Sequence, residues 1–237
     1  MENAAVLRNT RLSEDFYLIK VRHKNTAAMG QFYMLRAWGD FPVLSRPISV
    51  FDSDGESVSF LYKVVGEGTE LIAALREGAS LSLLGPLGRG FPLVEGRVAM
   101  VGGGVGIAPL YLAAKTIRAH SQKNLVDLYL GFSSASVLSR EFSMVADRLT
   151  TDVGGIITDH IRPRDYDVIF TCGPIPMMRA LYNKCKDYDV RLYVSMESRM
   201  ACGIGACLGC SCPTIDGNRK VCKDGPVFEG REIFEFE

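Results

Sequence analysis

Cys202, Cys207, Cys210, Cys212 and Cys222 fall within 21 positions near the C-terminus, while Cys172 and Cys185 stand apart. Seven cysteines would permit three disulfides. The first residues, Met1-Glu2-Asn3-Ala4-Ala5, show no basic stretch followed by an apolar core, so a cytoplasmic location is expected. In that compartment a cysteine cluster reads as a metal site before it reads as a disulfide framework. The spacing Cys202-x4-Cys207-x2-Cys210, with Cys222 after eleven more residues, is that of plant-type [2Fe-2S] sites. Such a site needs four thiolates around a flat two-iron unit and backbone N–H groups aimed at the sulfurs. Gly203, Gly205 and Gly209 let a loop wrap that closely. A structural zinc is the alternative, but zinc sites usually show two C-x2-C pairs and only Cys207/Cys210 makes one. Cys212 is a fifth thiol. It is separated from Cys210 by the single residue Ser211 and falls outside the plant-type spacing, so it is left out of the ligand set.

A tail this rich in glycine and cysteine cannot build its own core, and the rest of the chain must carry it. The first ninety residues read as short strands broken by turns: 16–21, 32–35, 57–65 and 80–84, with Arg46-Pro47-Ile48-Ser49 opening another. One short helix fits 69–76, with Thr69 as its cap and Gly78 as its stop. Strands at this spacing suggest a small antiparallel β-barrel. After Gly96 the pattern changes. The run Val98-Ala99-Met100-Val101 is apolar without alternation, as a buried parallel strand requires. Further strands are expected at 125–130, 167–170 and 191–194, with helices at 109–120 and 175–185, which makes a doubly wound α/β unit. The expected fold is thus α+β and multidomain: a barrel over 1–95, an α/β domain over 96–195 and an iron–sulfur subdomain over 196–237.

The α/β unit carries a glycine loop, Gly102-Gly103-Gly104-Val105-Gly106, between its first strand and the following helix. Such a loop lets the backbone approach a pyrophosphate. It departs from G-x-G-x-x-G, because the sixth position is Ile107, and the second strand ends at Gly131-Phe132-Ser133 without an acidic residue for a ribose. An ordinary Rossmann dehydrogenase is therefore disfavoured. Cys172-Gly173-Pro174 follows the third strand, at the carboxyl edge where such sheets bind ligands. In the barrel, Arg46 could pair with a diphosphate, Ser49 could reach a polar ring, and Gly68-Thr69 offers N–H groups and a hydroxyl at a helix start.

Taken in order, R-P-I-S, G-E-G-T, G-P-L-G-R-G-F, G-G-G-V-G-I-A-P and C-G-P resemble the ferredoxin–NADP reductase superfamily over nearly the whole chain. The tail, from Glu197-Ser198-Arg199-Met200-Ala201-Cys202 to Cys222-Lys223-Asp224-Gly225-Pro226, is similar to the electron-transfer subunits of type B dihydroorotate dehydrogenases. This resemblance implies FAD in the barrel, contacted by Arg46, Pro47, Ile48, Ser49, Leu61, Tyr62, Lys63, Gly68 and Thr69. It implies NAD(H) at Gly102, Gly103, Gly104, Gly106, Cys172, Gly173 and Pro174, and a [2Fe-2S] cluster on Cys202, Cys207, Cys210 and Cys222. It also implies a partner, an FMN-containing catalytic subunit that oxidises dihydroorotate in pyrimidine biosynthesis, in a heterotetramer of two plus two. The family's P-G-Q-F reads Met29-Gly30-Gln31-Phe32 here. Nothing after the second α/β strand marks NAD over NADP, and Arg140 is a candidate contact for a 2′-phosphate.

Lys+Arg and Asp+Glu both count 27, so no basic field drives nucleic-acid binding, and no apolar run has the length of a membrane span. A diaphorase-type subunit of a hydrogenase or another ferredoxin-linked complex would carry the same signals. A non-enzymatic redox sensor would need the cluster but not two nucleotide sites. No residue is assigned a catalytic role. His23, His120 and His160 share no motif, Trp38 and Cys185 read as packing residues, and 231–237 alternates charge and bulk as an edge or partner contact would.

Overall fold

The computed structural model describes residues 1–235. Six strands, β1 (Glu2–Arg11), β2 (Phe16–Arg22), β3 (Phe32–Arg36), β4 (Arg46–Ser53), β5 (Ser57–Lys63) and β6 (Ser80–Leu87), close into an antiparallel barrel in the order β1-β2-β5-β4-β3-β6. Helix α1 (Glu67–Ala73) connects β5 to β6. It starts two residues before the expected cap. Thr69 lies inside the first turn, where its hydroxyl accepts the N–H groups of Val65 and Gly66 and donates to the Gly66 carbonyl. The helix also ends short of Gly78, whose positive φ of 82° serves the turn into β6 instead. Strand β1 went unread in the sequence. Its burial alternates only at Ala4 and Val6, and the rest is polar edge.

The second unit is a six-stranded sheet in the order β14-β11-β10-β7-β8-β9. Strands β7 (Arg97–Gly103), β8 (Leu125–Phe132), β9 (Arg148–Val153), β10 (Val168–Cys172) and β11 (Arg191–Ser195) are parallel. Helices α2 (Ala108–His120), α3 (Ser139–Met144) and α4 (Ile175–Cys185) cover it. The central strands are apolar on both faces because helices and barrel bury both. The order turns back between β7 and β10, so the loops after those strands diverge and leave a crevice. Barrel and sheet lock together through Phe51 stacked on Tyr111 at 4.4 Å and Lys115 paired with Asp52 at 2.7 Å.

The tail does not stand apart. A hairpin of β12 (Ser211–Thr214) and β13 (Gly217–Lys220) is followed by β14 (Val227–Glu229), which adds antiparallel to the edge strand β11. Helix α5 (Gly230–Phe234) then buries Ile233 and Phe234. The segment expected to form an edge or partner contact is thus largely a packed helix. Its last two residues, 236 and 237, lie outside the described residues. Apolar side chains of the tail share one core with the outer face of β3, with Phe32, Met34, Met200, Cys210, Cys222 and Phe228 buried together. Tyr33 and Leu35 alternate with Phe32 and Met34 and point into the barrel. One strand therefore supplies both cores.

Candidate redox centre

A cavity of about 340 Å³ lies between the barrel and the start of the tail. Arg46, Pro47, Ile48 and Ser49 reach it from β4, Leu61, Tyr62 and Lys63 from β5, and Thr69 from α1. Gly68 stands behind them. A Cβ there would sit 2.5 Å from Arg46 Nε, so only glycine lets the guanidinium lie along that wall. The opposite wall is Met196, Glu197, Ser198 and Met200, with Val105 and Ala108 from the α/β unit. A groove with the Arg46 guanidinium, the hydroxyls of Ser49, Tyr62, Thr69 and Ser198 and apolar walls suits a flavin dinucleotide: diphosphate at the cation, ring against the methyl and thioether surfaces.

A second cavity, of about 400 Å³, shares Lys63, Val105 and Glu197 with the first. Gly103, Gly104, Gly106, Gly173 and Pro174 line it. Gly102 and Cys172 do not reach its surface. Gly102 is buried, with Ile107 and Leu110 at 2.9 Å from the position of a Cβ, and Cys172 is 1% exposed. A third cavity, of about 620 Å³, continues from the second through Gly103, Gly104, Phe132, Ser133 and Pro174. Its walls include Ile156, Ile157 and Met177, and no lysine or arginine lines it among the described residues. Arg140, exposed on α3, lines none of the three.

Two residues of this crevice carried no role in the sequence. Glu197 lines both the first and second cavities, and its Oε1 lies 4.0 Å from Cys172 Sγ. Burial pushes the Glu197 carboxyl above the ordinary carboxylate range. It pushes the Cys172 thiol up as well, helped by the Glu197 charge. Asp152 is the second. In β9 it pairs in register with Gly131, which puts it on the face where Gly131 meets Ile157 of the third cavity. Its carboxylate accepts the Gly155 N–H at 3.0 Å and lies 2.7 Å from His160 Nε2. Asp152 is thus an acidic residue beside the third cavity, carried by a strand that the sequence does not announce because β9 is a half-exposed edge with little apolar content.

The cysteine loop surrounds its sulfurs with backbone donors. The N–H groups of Ala206 and Cys207 point at Cys202 Sγ at 3.3 and 3.4 Å, that of Gly209 at Cys207 Sγ at 3.5 Å, that of Cys222 at Cys210 Sγ at 3.4 Å, and that of Gly205 at Cys222 Sγ at 3.1 Å. These donors stabilise negative sulfur, and they hold the half-buried Cys202 thiol down at about 6. Burial raises Cys222 to about 12. The donor set fits thiolate ligation of an iron–sulfur unit. Gly203 and Gly205 take positive φ of 72° and 81°, and the third left-handed position is Leu208 at 60° rather than Gly209. Cys202 and Cys207 lie on the open side, and Cys210 and Cys222 are 2% exposed. Among the described residues no three ligating side chains converge on a single-ion point. Two pairs of thiols spread over two irons do not need one. Cys212 stands in β12 opposite Arg219, half-buried against the core that holds Cys210 and Cys222, and no backbone N–H of the cysteine loop is aimed at its sulfur among the described residues. All seven cysteines are free thiols.

Barrel, parallel sheet and cysteine tail together define a flavin reductase of the ferredoxin–NADP reductase fold that carries its own iron–sulfur domain. The structure matches the NADH-dependent reduced ferredoxin-NADP oxidoreductase of a flavin-based electron-bifurcation study with a TM-score of 0.87 at 26% identity, over 98% of this chain and 90% of the other. A ferredoxin reductase from carbazole 1,9a-dioxygenase shares the fold at TM-score 0.66 and 22% identity, over 80% and 68%. Residues 197–234 match the iron-sulfur cluster binding domain of dihydroorotate dehydrogenase B. The electron transfer subunit of dihydroorotate dehydrogenase B (NAD(+)) from Clostridium acetobutylicum is 42% identical, covering 96% of this chain and 95% of the relative, and that of Clostridium perfringens is 40% identical, covering 96% of each. The chain belongs to this family of electron transfer subunits.

Proposed function

We propose that this chain passes electrons between NAD(H) and the FMN of a dihydroorotate dehydrogenase catalytic subunit through its own FAD and [2Fe-2S] cluster, in pyrimidine biosynthesis. The observation that carries the reading is the continuity of the three cavities. Lys63, Val105 and Glu197 belong to the first two at once, and β3 runs beneath the first cavity and the cysteine loop. Bound flavin supplies the exchange between two-electron hydride chemistry and one-electron transfer.

The chain's own residues then have separable tasks. Arg46, Ser49, Thr69 and the 61–63 segment hold the flavin dinucleotide, and Gly68 makes room for the arginine. Gly103, Gly104 and Gly106 admit the nucleotide phosphates, while Gly173 and Pro174 shape the opposite rim. Gly102 and Cys172 support that floor from beneath. Cys202, Cys207, Cys210 and Cys222 ligate the cluster. Asp152 and the cation-free walls of the third cavity disfavour a 2′-phosphate and so favour NAD(H) over NADP(H). The assembly with the catalytic subunit is two plus two, and the complex works in the cytoplasm, the compartment that keeps cysteines reduced and available for metal ligation. No helix among the described residues is long and apolar enough to cross a membrane.

Arg46→Ala should weaken flavin retention while leaving the cluster's absorption intact. Loss of a charge-assisted contact to phosphate costs about 1.5–3 kcal/mol, or roughly tenfold to a hundredfold in affinity. Flavin occupancy after serial dilution measures it, and unchanged occupancy would remove Arg46 from the site.

Glu197 can hold a proton between the nucleotide and flavin cavities. Its raised pKa keeps the acid form present further toward neutral pH, so a rate that needs that proton falls as pH rises through the raised value. NADH-driven dye reduction by the isolated chain should show that alkaline decline. Glu197→Gln cannot ionise, and it should react more slowly with the decline flattened. The same limb in both proteins would show that another group titrates.

The reading as a whole is tested by reconstitution. Adding the chain to the purified catalytic subunit should confer dihydroorotate-dependent reduction of NAD, absent from either alone. A catalytic subunit that reduces NAD equally well without the chain would refute it.

A further inference from the structure

The outer face of β3 sets an order. Phe32 lines the flavin cavity, Met34 lies under the cysteine loop with its Cγ 2.7 Å from where a Gly203 Cβ would stand, and Arg36 holds the loop 37–45. Residues two apart on a strand share a face and are about 6.6 Å apart. The loop that Arg36 holds therefore follows, along the same face of β3, the residue on which the cysteine loop rests.

That loop is built to present apolar side chains. The Arg36 guanidinium donates to the carbonyls of Trp38, Gly39, Asp40, Pro42 and Val43, which draws the loop's polar backbone inward. Trp38 donates its indole N–H to Pro42 O and lies under the Arg46 guanidinium, 5.2 Å from the ring centroid. What remains outside is Phe41, 74% exposed, Val43, 64%, and Leu44, 45%. Single exposed apolar residues are ordinary, but three on a loop whose backbone is already fixed form a patch with little ordering cost left for binding. The neighbouring cysteine loop adds Ile204 and Leu208, 57% and 62% exposed, beside the open Cys207. Leu208 is held outward in a left-handed conformation, its carbonyl accepting the Ser211 N–H and hydroxyl.

We propose that the loop 37–45 is an anchor for the FMN-bearing catalytic subunit, with Phe41 and Val43 as its principal contacts. The assignment rests on the electron-transfer reading above. A partner that takes electrons at the exposed edge of the cluster must cover the surface around it, and this loop is the preorganised apolar element next to that edge. A second copy of the chain has no such need to approach the cluster.

The test uses the full chain with flavin and cluster bound. The double variant Phe41→Ser/Val43→Ser should bind the purified catalytic subunit at least about tenfold more weakly in sedimentation or calorimetry. Its flavin, iron and NADH-driven dye reduction should match the parent protein. Met144→Ser, an equally exposed apolar residue on α3, should bind as the parent does. A photo-crosslinking residue at position 41, which removes no apolar surface, should capture the catalytic subunit. Unchanged affinity of the double variant, loss of flavin in proportion to loss of binding, or capture of a second copy alone would overturn the proposal. Should the parent protein itself not bind the catalytic subunit, the electron-transfer reading falls, and this proposal with it.

Discussion

Replacing Cys202, Cys207, Cys210 or Cys222 by serine should each abolish the [2Fe-2S] cluster, whereas Cys212→Ser should retain about two irons and two acid-labile sulfides per chain. The four thiols accept backbone N–H groups of Gly205, Ala206, Cys207, Gly209 and Cys222 at 3.1–3.5 Å. Cys212 lies across the hairpin from Arg219. The four losses should differ in their consequences. Cys210 and Cys222 belong to the shared core with Phe32, Met34 and Phe228, so their replacement places a hydroxyl in apolar surroundings and should loosen β14 and α5. Cys202 and Cys207 lie on the open side, and their variants should lose iron with the tail still docked. Iron and sulfide analysis with hydrogen exchange over 200–234 separates the cases. Retention of iron in Cys210→Ser with its loss in Cys212→Ser would reassign the ligands.

Gly106→Ala should bring the largest loss of nucleotide binding. A Cβ at Gly106 would meet the Cys172 carbonyl oxygen at 2.4 Å and Gly173 Cα at 2.6 Å. Both obstacles are backbone, so no flexible side chain can swing away, and the glycine loop must separate from the end of β10. Overpacking of this kind costs about 1–3 kcal/mol, and the crevice it opens is the proposed phosphate site. Anaerobic titration should show NADH affinity reduced roughly tenfold to a hundredfold. Flavin and cluster content should stay the same, because Arg46 and the cysteine loop lie elsewhere. Normal NADH affinity in a folded Gly106→Ala protein would move the nucleotide away from this loop.

What the chain alone disclosed follows from how local each signal is. Cysteine spacing is a covalent pattern, and the loop it specifies needs only nearby backbone. The apolar runs of β7 and β10 stood out because both faces are buried, and the helix expected at 175–185 coincides with α4. Edge elements were not legible. Strand β1 is mostly polar, β9 is half-exposed, and β14 is only three residues long, so each is defined by its neighbour rather than by its own periodicity. The same limit hid Asp152, whose place beside the third cavity depends on pairing with Gly131 across a strand boundary. Glu197 was visible as a motif letter, but its position between two cavities depends on the tail folding back over the barrel. The helix around Thr69 was offset because Gly66 already adopts the extended entry that the expected cap was to provide.

Rapid-mixing reduction of the isolated holoprotein by NADH, followed at flavin and cluster wavelengths and repeated with the catalytic subunit and dihydroorotate, tests the electron path most directly. NADH should reduce both centres of the isolated chain, the chain alone should not oxidise dihydroorotate, and dihydroorotate should reduce the cluster once the catalytic subunit is added. Dihydroorotate oxidation by the chain alone, or a cluster that stays oxidised while the complex turns over, would contradict that path.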